Sequence, residues 1–379
     1  MSSFIFTLTS ELKEVLNLFA KEAGKNKAES AYPEAILADG QVLSAANTSV
    51  LLRYQMGTDE LGLMPETFES PVLIPIKGIR AILENPANSE ITVKTEGNTL
   101  SIHKKGKKAV LNMAAITTTN FPDFGKFEVK SIDKISIGDF MDAVNSVKHS
   151  ISDNNAKPIY TGLLLNCEKD SISFSAIDGI RGSVVKLSYE SESSYKISIP
   201  RNCIDTIIGA VSKKDISDTL SIVRGKDNRH ASFFIGSRLV VRTRLLDGEP
   251  MDVYQMCGTQ PINLLVDKAE IISVLKSIST ILEDNHNAIT LEANNGEILV
   301  GYRAGSVNFS DSISYEMESG DITSPFRIGV NVKYLAEAIK SIGSKKIRFG
   351  LRSSLKPIIL SDTEGKDNRQ IVVPVRISE

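Results

Sequence analysis

The 379-residue sequence has no tryptophan, only four histidines and three cysteines. No apolar run approaches the ~20 residues that a bilayer-spanning helix requires, so a membrane partner is not expected. Cys167, Cys203 and Cys257 are odd in number and far apart. They do not form a disulfide framework, and buried small side chains in a reduced compartment are expected. Charge of one sign is also lacking: 44 Lys and Arg stand against 46 Asp and Glu, a net charge of −2. That balance gives no overall attraction to a polyanion, but it allows a basic surface offset by acidic ones elsewhere. The opening Met1-Ser2-Ser3-Phe4-Ile5-Phe6 has no basic segment and soon reaches the polar Thr7–Ser10. It does not read as a secretory signal, and a cytoplasmic location is expected.

Catalytic signatures are equally scarce. His103, His149, His230 and His286 are isolated, and none sits at metal-ligand spacing from cysteine or carboxylate. Gly225-Lys226 and Gly365-Lys366 are each followed by Asp and lack the upstream glycine of a phosphate-binding loop. No Gly-x-Ser-x-Gly is present. The expectation is a protein that binds rather than catalyses, with no metal and no cofactor. An enzyme with an unrecognised site, or a repeat scaffold that binds only protein, are the competing readings.

What the chain does have is a pattern that occurs three times. Phe140, Val144, Val147 and Ile151 follow the i, i+4, i+7, i+11 spacing of one helix face. Leu12, Leu16, Phe19 and Ala23 repeat it upstream, and Ile271, Leu275, Ile278 and Leu282 repeat it downstream. The starts are offset by 128 and 131 residues. A second helix recurs in step: Pro75 precedes Ile79 and Leu83, Pro200 precedes Ile204, Ile208 and Val211, and Asn331 precedes Leu335, Ile339 and Ile342. Proline tolerates a helix start because its missing N–H has no partner there, and asparagine can cap the same end. Two helices in constant register predict a threefold internal repeat.

Between the helices lie short alternating or apolar runs bounded by turn residues, read as antiparallel strands. Examples are 91–93 and 100–102 around Glu96-Gly97-Asn98, 159–165, 172–176, 239–244 and the closing run 371–377. The fold class is therefore α+β, three domains each with two helices packed on antiparallel sheet, at 1–127, 128–255 and 256–379. Gly-Lys-Asp-Asn-Arg occurs at 225–229 and again at 365–369, and reads as a shared turn. Lys104-Lys105-Gly106-Lys107-Lys108 reads as a charged hairpin tip rather than a nucleic-acid patch.

The basic residues of the helices and their ends are unusual for a chain that is net acidic. Lys25, Lys27, Lys148, His149, Lys157 and Lys276 accompany the first helices. Lys77, Arg80, Arg201, Lys213, Lys214, Lys333 and Lys340 accompany the second. For any one of them a solvated helix face is an adequate explanation. Together they suggest helical faces that meet a polyanion through phosphate contacts, without sequence specificity and with strong salt dependence.

Specific residues now point to a family. Ala176-Ile177-Asp178-Gly179-Ile180-Arg181 resembles the Thr-Asp-(Gly/Ser)-His-Arg segment of bacterial sliding clamps, the DNA polymerase III beta subunits. Leu245 to Asp252 resembles that family's Asp/Glu-Gly-x-(Phe/Tyr)-Pro-Asp boundary, and Asn120-Phe121-Pro122-Asp123-Phe124 the segment closing its first domain. Val330 to Leu335 resembles its Phe-Asn-x-x-Tyr-Leu helix start, and Val372 to Ile377 its terminal Met-Pro-(Met/Val)-Arg-Leu. The markers span the chain in family order.

The resemblance implies a head-to-tail homodimer, a ring around double-stranded DNA lined by helices and rimmed by sheets. It implies a replicative DNA polymerase, a clamp loader and other clamp-motif peptides as partners. By similarity, Leu111 and Met113 of one subunit would face Ile281 and Leu282 of the other. A peptide-binding cleft would be formed by Ile177, Gly179, Arg181, Gly182, Met251, Ile371, Val373, Pro374, Val375 and Arg376. The chain departs from the family pattern where Ile180 replaces a histidine, Gly182 an apolar residue, Met251 a proline and Val373 a methionine. Those changes bear on which partners bind.

Overall fold

The computed structural model describes residues 2–25, 32–56, 71–116, 121, 128–154, 156–211, 218–248, 251–283 and 287–377. One order of elements, β-α-β-β-β-β-α-β-β-β, runs three times along the chain. The first pass is β1 (Ser2–Leu8), α1 (Ser10–Ala23), β2 (Ala35–Asp39), β3 (Val42–Ala46), β4 (Val50–Gln55), β5 (Val72–Pro75), α2 (Ile76–Leu83), β6 (Ser89–Glu96), β7 (Thr99–Lys104) and β8 (Val110–Ala114). The second is β9 (Val129–Ser136), α3 (Ile137–Val147), β10 (Gly162–Glu168), β11 (Ser171–Ile177), β12 (Arg181–Ser188), β13 (Tyr195–Pro200), α4 (Arg201–Ala210), β14 (Thr219–Gly225), β15 (His230–Ile235) and β16 (Leu239–Arg244). A short helix, α5 (Val253–Cys257), leads to the third: β17 (Ile262–Asp267), α6 (Lys268–Ser279), β18 (Ala288–Asn294), β19 (Glu297–Ala304), β20 (Val307–Ser319), β21 (Phe326–Asn331), α7 (Val332–Lys340), β22 (Lys346–Leu351), β23 (Ile358–Asp362) and β24 (Asp367–Val372). The fold class is α+β, with antiparallel sheets, as the sequence leads one to expect.

The chain forms two compact units, Met1–Met141 with Ile199–Leu245, and Asp142–Ser198 with Leu246–Glu379. In the first, β1-β6-β7-β8 make a four-stranded sheet and β5-β2-β3-β4-β16-β15-β14-β9 an eight-stranded one. In the second a twelve-stranded sheet runs β13-β10-β11-β12-β24-β23-β22-β17-β20-β19-β18-β21, with the end of β13 continuing into the first unit.

The sheets are continuous across passes. β4 pairs with β16 from Val50↔Thr243 to Tyr54↔Leu239, and β12 pairs with β24 from Arg181↔Val372 to Lys186↔Asp367. The strands that correspond in the remaining passes are β8 and β20. Among the described residues, β8 pairs only with β7, and Val307–Ser314 of β20 pair only with β19.

Local chemistry explains the elements. Thr9 Oγ1 accepts the Leu12 amide at 3.1 Å to cap α1. Asp267 caps α6 through the Ala269 and Glu270 amides, and Asn331 caps α7 through those of Lys333 and Tyr334. Pro75 and Pro200 each end a strand and enter a helix with φ −57°. The apolar helix faces are buried, with Leu16, Phe19, Phe140, Val144, Leu275 and Ile278 at 1% exposure or less. In β19, Ile298, Val300, Tyr302 and Ala304 alternate into the core while Leu299 faces out.

Four local expectations differ from the structure. α3 stops at Val147 and Lys148–Ser150 form a 3-10 turn, yet Ile151 still reaches the core at 2% exposure. The run from Ile159 begins as a 3-10 turn, Pro158–Thr161, before β10. The first Gly-Lys-Asp-Asn-Arg turns at 226–229 after Gly225 ends β14, whereas the second is cut short, since β24 starts at Asp367. The closing strand ends at Val372: Pro374 has no amide to offer, and the Val373 and Val375 amides go instead to Ile180 O at 3.2 Å and Gly329 O at 2.9 Å.

Candidate functional site

The second unit brings the end of β11, the turn into β12, α5 and the C-terminal segment into one place. Asp178 shapes the turn: its Oδ1 accepts the amides of Ile180 and Arg181 at 3.0 and 2.9 Å, while Gly179 takes φ +99°. Below the turn, Ile177, Val184, Val253, Cys257, Ile359 and Ile371 form a buried apolar cluster, with Tyr160 and Tyr254 packed on it. Gly182 is closely approached, because a Cβ there would lie 3.2 Å from Val253 Cγ1 and 3.7 Å from Ile371 Cδ1, so that a side chain would require Val253 to give way. Above the cluster, Ile180 and Met251 remain 47% and 45% exposed, and Tyr160 Oη donates to Met251 Sδ at 3.0 Å. The arrangement is an apolar floor with accessible apolar rims, suited to hydrophobic anchor side chains.

Arg181 is held on three sides. Its Nε donates to Asp178 Oδ2 at 2.8 Å, its Nη1 to the Glu337 carboxylate of α7, and its guanidinium lies 4.5 Å from the centre of the Tyr334 ring. Beneath it, buried Ser183 Oγ meets Ser150 Oγ at 2.6 Å and His149 Nε2 at 3.2 Å, and donates to Gln370 Oε1. Burial, reinforced by the Arg181 charge, pushes His149 down to about 4 against the opposing pull of Glu337 and Asp178. His149 is therefore neutral at pH 7 and adds no cation to a phosphate surface.

Tyr254 is framed by Arg369, 4.2 Å from the ring centre, and Lys186 at 5.5 Å, with its hydroxyl donating to Asp367 at 3.0 Å. Burial, with the Asp367 hydrogen bond, raises its pKa. Burial likewise pushes the Cys257 thiol up to about 11, which makes it an inert packing group.

Of the residues expected in a cleft, Ile177, Gly179, Arg181, Gly182, Met251, Ile371 and Val373 converge here. Val375 lies farther along, against Gly329, where a Cβ would come within 2.6 Å of Val375 O. Pro374 is half-buried and Arg376 exposed. Tyr160, Val253, Tyr254, Cys257, Tyr334 and Glu337 belong to the same place and escaped sequence reading. The one available signal was Asp252 before Val253 and Cys257, a cap followed by an i, i+4 apolar pair; Asp252 Oδ1 does accept the Tyr254 and Gln255 amides.

The helix-borne cations differ in exposure and in partners. Arg80 of α2, Lys276 of α6 and Lys340 of α7 are exposed, as are Lys77 and Lys333; Arg201 and Lys148 are half-buried. Lys25 has a structural duty, since its Nζ lies 2.7 Å from the carboxylate of buried Glu22, which also accepts from Asn47 at 2.9 Å. Lys157 leans over Tyr160, 5.4 Å from its ring centre, and so stands beside the apolar cluster. Lys27, Lys213 and Lys214 lie outside the described residues. On β8, Val110 and Leu111 are 50% and 40% exposed, and Met113 is half-buried. Ile281 and Leu282 are half-buried against the core of the second unit.

Sequence models of the DNA polymerase III beta subunit match the chain over residues 134–250, as its central domain, and over 259–376, as its C-terminal domain. Together they cover more than half of the chain. The chain belongs to the DNA polymerase III beta subunit family.

Curated members of the family are distant in sequence. The beta sliding clamp of Synechococcus elongatus is 22% identical over 314 residues, 81% of each chain, and that of Rickettsia felis 21% over 349 residues, 89% of this chain and 90% of that one. A putative DNA polymerase III beta subunit from Eubacterium rectale superposes with a TM-score of 0.87 over the whole of both chains at 17% identity. A DNA polymerase sliding clamp from Pseudomonas aeruginosa gives 0.85, again over both whole chains and at 17% identity. The fold of the family is thus shared end to end, although four of five residues have changed.

Proposed function

We propose that the chain is a DNA polymerase processivity factor, a sliding clamp that closes around duplex DNA and tethers its partners through the cleft. The observation that carries this reading is the sheet pairing left open. β4–β16 and β12–β24 join successive passes, and the third joint of the series needs a β8 from a second copy beside β20. A head-to-tail homodimer supplies it twice and removes both exposed edges. Exposed Val110 and Leu111 on β8 support an interface there, with Met113, Ile281 and Leu282 as its expected neighbours.

In this reading the three passes are three domains, at 1–127, 128–255 and 256–379. Arg80, Arg201, Lys276 and Lys340 with the other helix-borne cations contact phosphates loosely enough to slide, while ring closure rather than affinity prevents escape. Ile177, Gly182, Met251, Ile371 and Val373 take hydrophobic anchors from a replicative polymerase, the clamp loader and other partner peptides. The role is tethering in the cytoplasm, with no reaction, metal or cofactor of its own.

The test is retention on nicked circular DNA after loading by a compatible clamp loader. Retention in high salt that is lost when the circle is cut establishes topological tethering. Equal retention on circle and linear form would mean ordinary electrostatic or site-specific binding and end the ring reading, and none on either beside a clamp that loads in parallel would leave a protein-only scaffold.

A further inference from the structure

Two walls of the cleft are fastened to one element. The 178–181 turn is held by Arg181, and of the two carboxylates on its guanidinium, Asp178 belongs to the turn itself while Glu337 comes from α7. The ring that Arg181 covers, Tyr334, is also on α7. The C-terminal segment is bound at Ile180 O through the Val373 amide and at Gly329 O through the Val375 amide. Gly329 stands two residues before Asn331, the cap of α7, and admits no side chain because a Cβ would lie 2.6 Å from both Val375 O and Ile377 Cγ1. Turn and C-terminal segment are therefore both registered on β21–α7. The same helix turns Lys333 and Lys340 to solvent.

We propose that Glu337 is the positioning residue of the cleft, holding Arg181 on α7 so that a peptide in the cleft and DNA at Lys333 and Lys340 act on one helix and alter each other's affinity. The inference rests on the cleft and DNA readings above. A peptide that displaces the turn or the C-terminal segment must shift or strain α7, and phosphates that fix α7 bias the cleft. Such coupling is reciprocal. Asp178 cannot replace Glu337 in this, because it moves with the turn it shapes.

The experiment measures the affinity of a fluorescent peptide, copied from the C-terminal segment of the replicative polymerase of the same genome, for the full-length protein free and loaded on nicked circles. The wild type is expected to differ about fivefold or more between the two states. Glu337→Gln is expected to weaken peptide binding, to give the same affinity in both states, and to move the Arg181 Nε–H resonance while leaving the melting curve in place. Glu337→Asp, which keeps the charge, is expected to recover part of the coupling and serves if the first variant folds poorly. Equal wild-type affinities in both states, or a Glu337→Gln protein that keeps the wild-type difference, would overturn the proposal. A wild type that binds no peptide would sink the cleft reading and this inference together, whereas binding without coupling would sink this inference alone.

Discussion

Single side chains decide how much room and charge the cleft contains. At Gly182 a methyl group would sit 3.2 Å from Val253 Cγ1, tight enough that Val253 must give way, and a larger side chain asks for more. Gly182→Val is expected to push α5 off the sheet and to cost about 1–3 kcal/mol. A drop in the thermal midpoint together with lost peptide binding checks this; an unchanged midpoint would mean that α5 yields freely. His149 supplies a pH prediction. Its folded value of about 4 lies below the ordinary 6.5, so the unfolded chain takes up a proton first as pH falls. Stability is then lost between about pH 6.5 and pH 4, by at most about 3 kcal/mol. Urea titrations across that range should show the loss, and His149→Gln should flatten it. Residue identity also shows the limit of sequence reading at this scale. Lys25 and His149 counted as cations in the sequence, yet one neutralises buried Glu22 and the other is held neutral by burial.

At the scale of elements, the repeat was readable because helix periodicity is a local property. The three first helices and three second helices stand where the apolar spacing put them, and proline or asparagine starts each of the second set. Ends were less legible. Ile151 and Leu282 continue the apolar spacing past α3 and α6, because a 3-10 turn or a loop can bury a residue as well as a helix can. α5 escaped detection because five residues hold too few turns to show a period. The closing segment looked like a strand and is instead a strap, since its amides reach Ile180 and Gly329. Removing residues 374–379 deletes the Val375 anchor without touching β24. Peptide affinity is expected to fall at least about tenfold while the melting curve stays within a degree or two, as small surface losses do. Isothermal titration beside differential scanning calorimetry measures both.

For the whole molecule, the open edges at β8 and β20 and the spread of cations set the expectations. Leu111→Asp places a charge on an exposed apolar edge. It is expected to weaken dimerisation roughly a hundredfold while leaving the protomer folded. Sedimentation velocity across a concentration series reads this directly, and an unchanged dimer would remove β8 from the interface. Changing Lys276 and Lys340 together to Glu is expected to lower the slope of log affinity against log salt by about 1–2 for duplex DNA. An unaltered slope would show that α6 and α7 do not meet phosphate.

The sequence by itself determined the threefold helix register, the α+β class, the absence of a catalytic signature and, through short marker segments, the family. These are properties of local spacing and of residue type, and they survive at about one identity in five. Only the tertiary structure decided which residues meet. It brought Gly182 against Val253 and Arg181 onto Glu337, and it set the last residues against Gly329. It also joined successive passes within the chain, β4 to β16 and β12 to β24. Those facts depend on strand pairing between segments up to about 190 residues apart in sequence, Arg181 with Val372 and Val50 with Thr243. Hydrogen-bonded backbone carries no side-chain signature of its distant partner, so the pairing is fixed by the packing of the whole sheet rather than by any stretch of it.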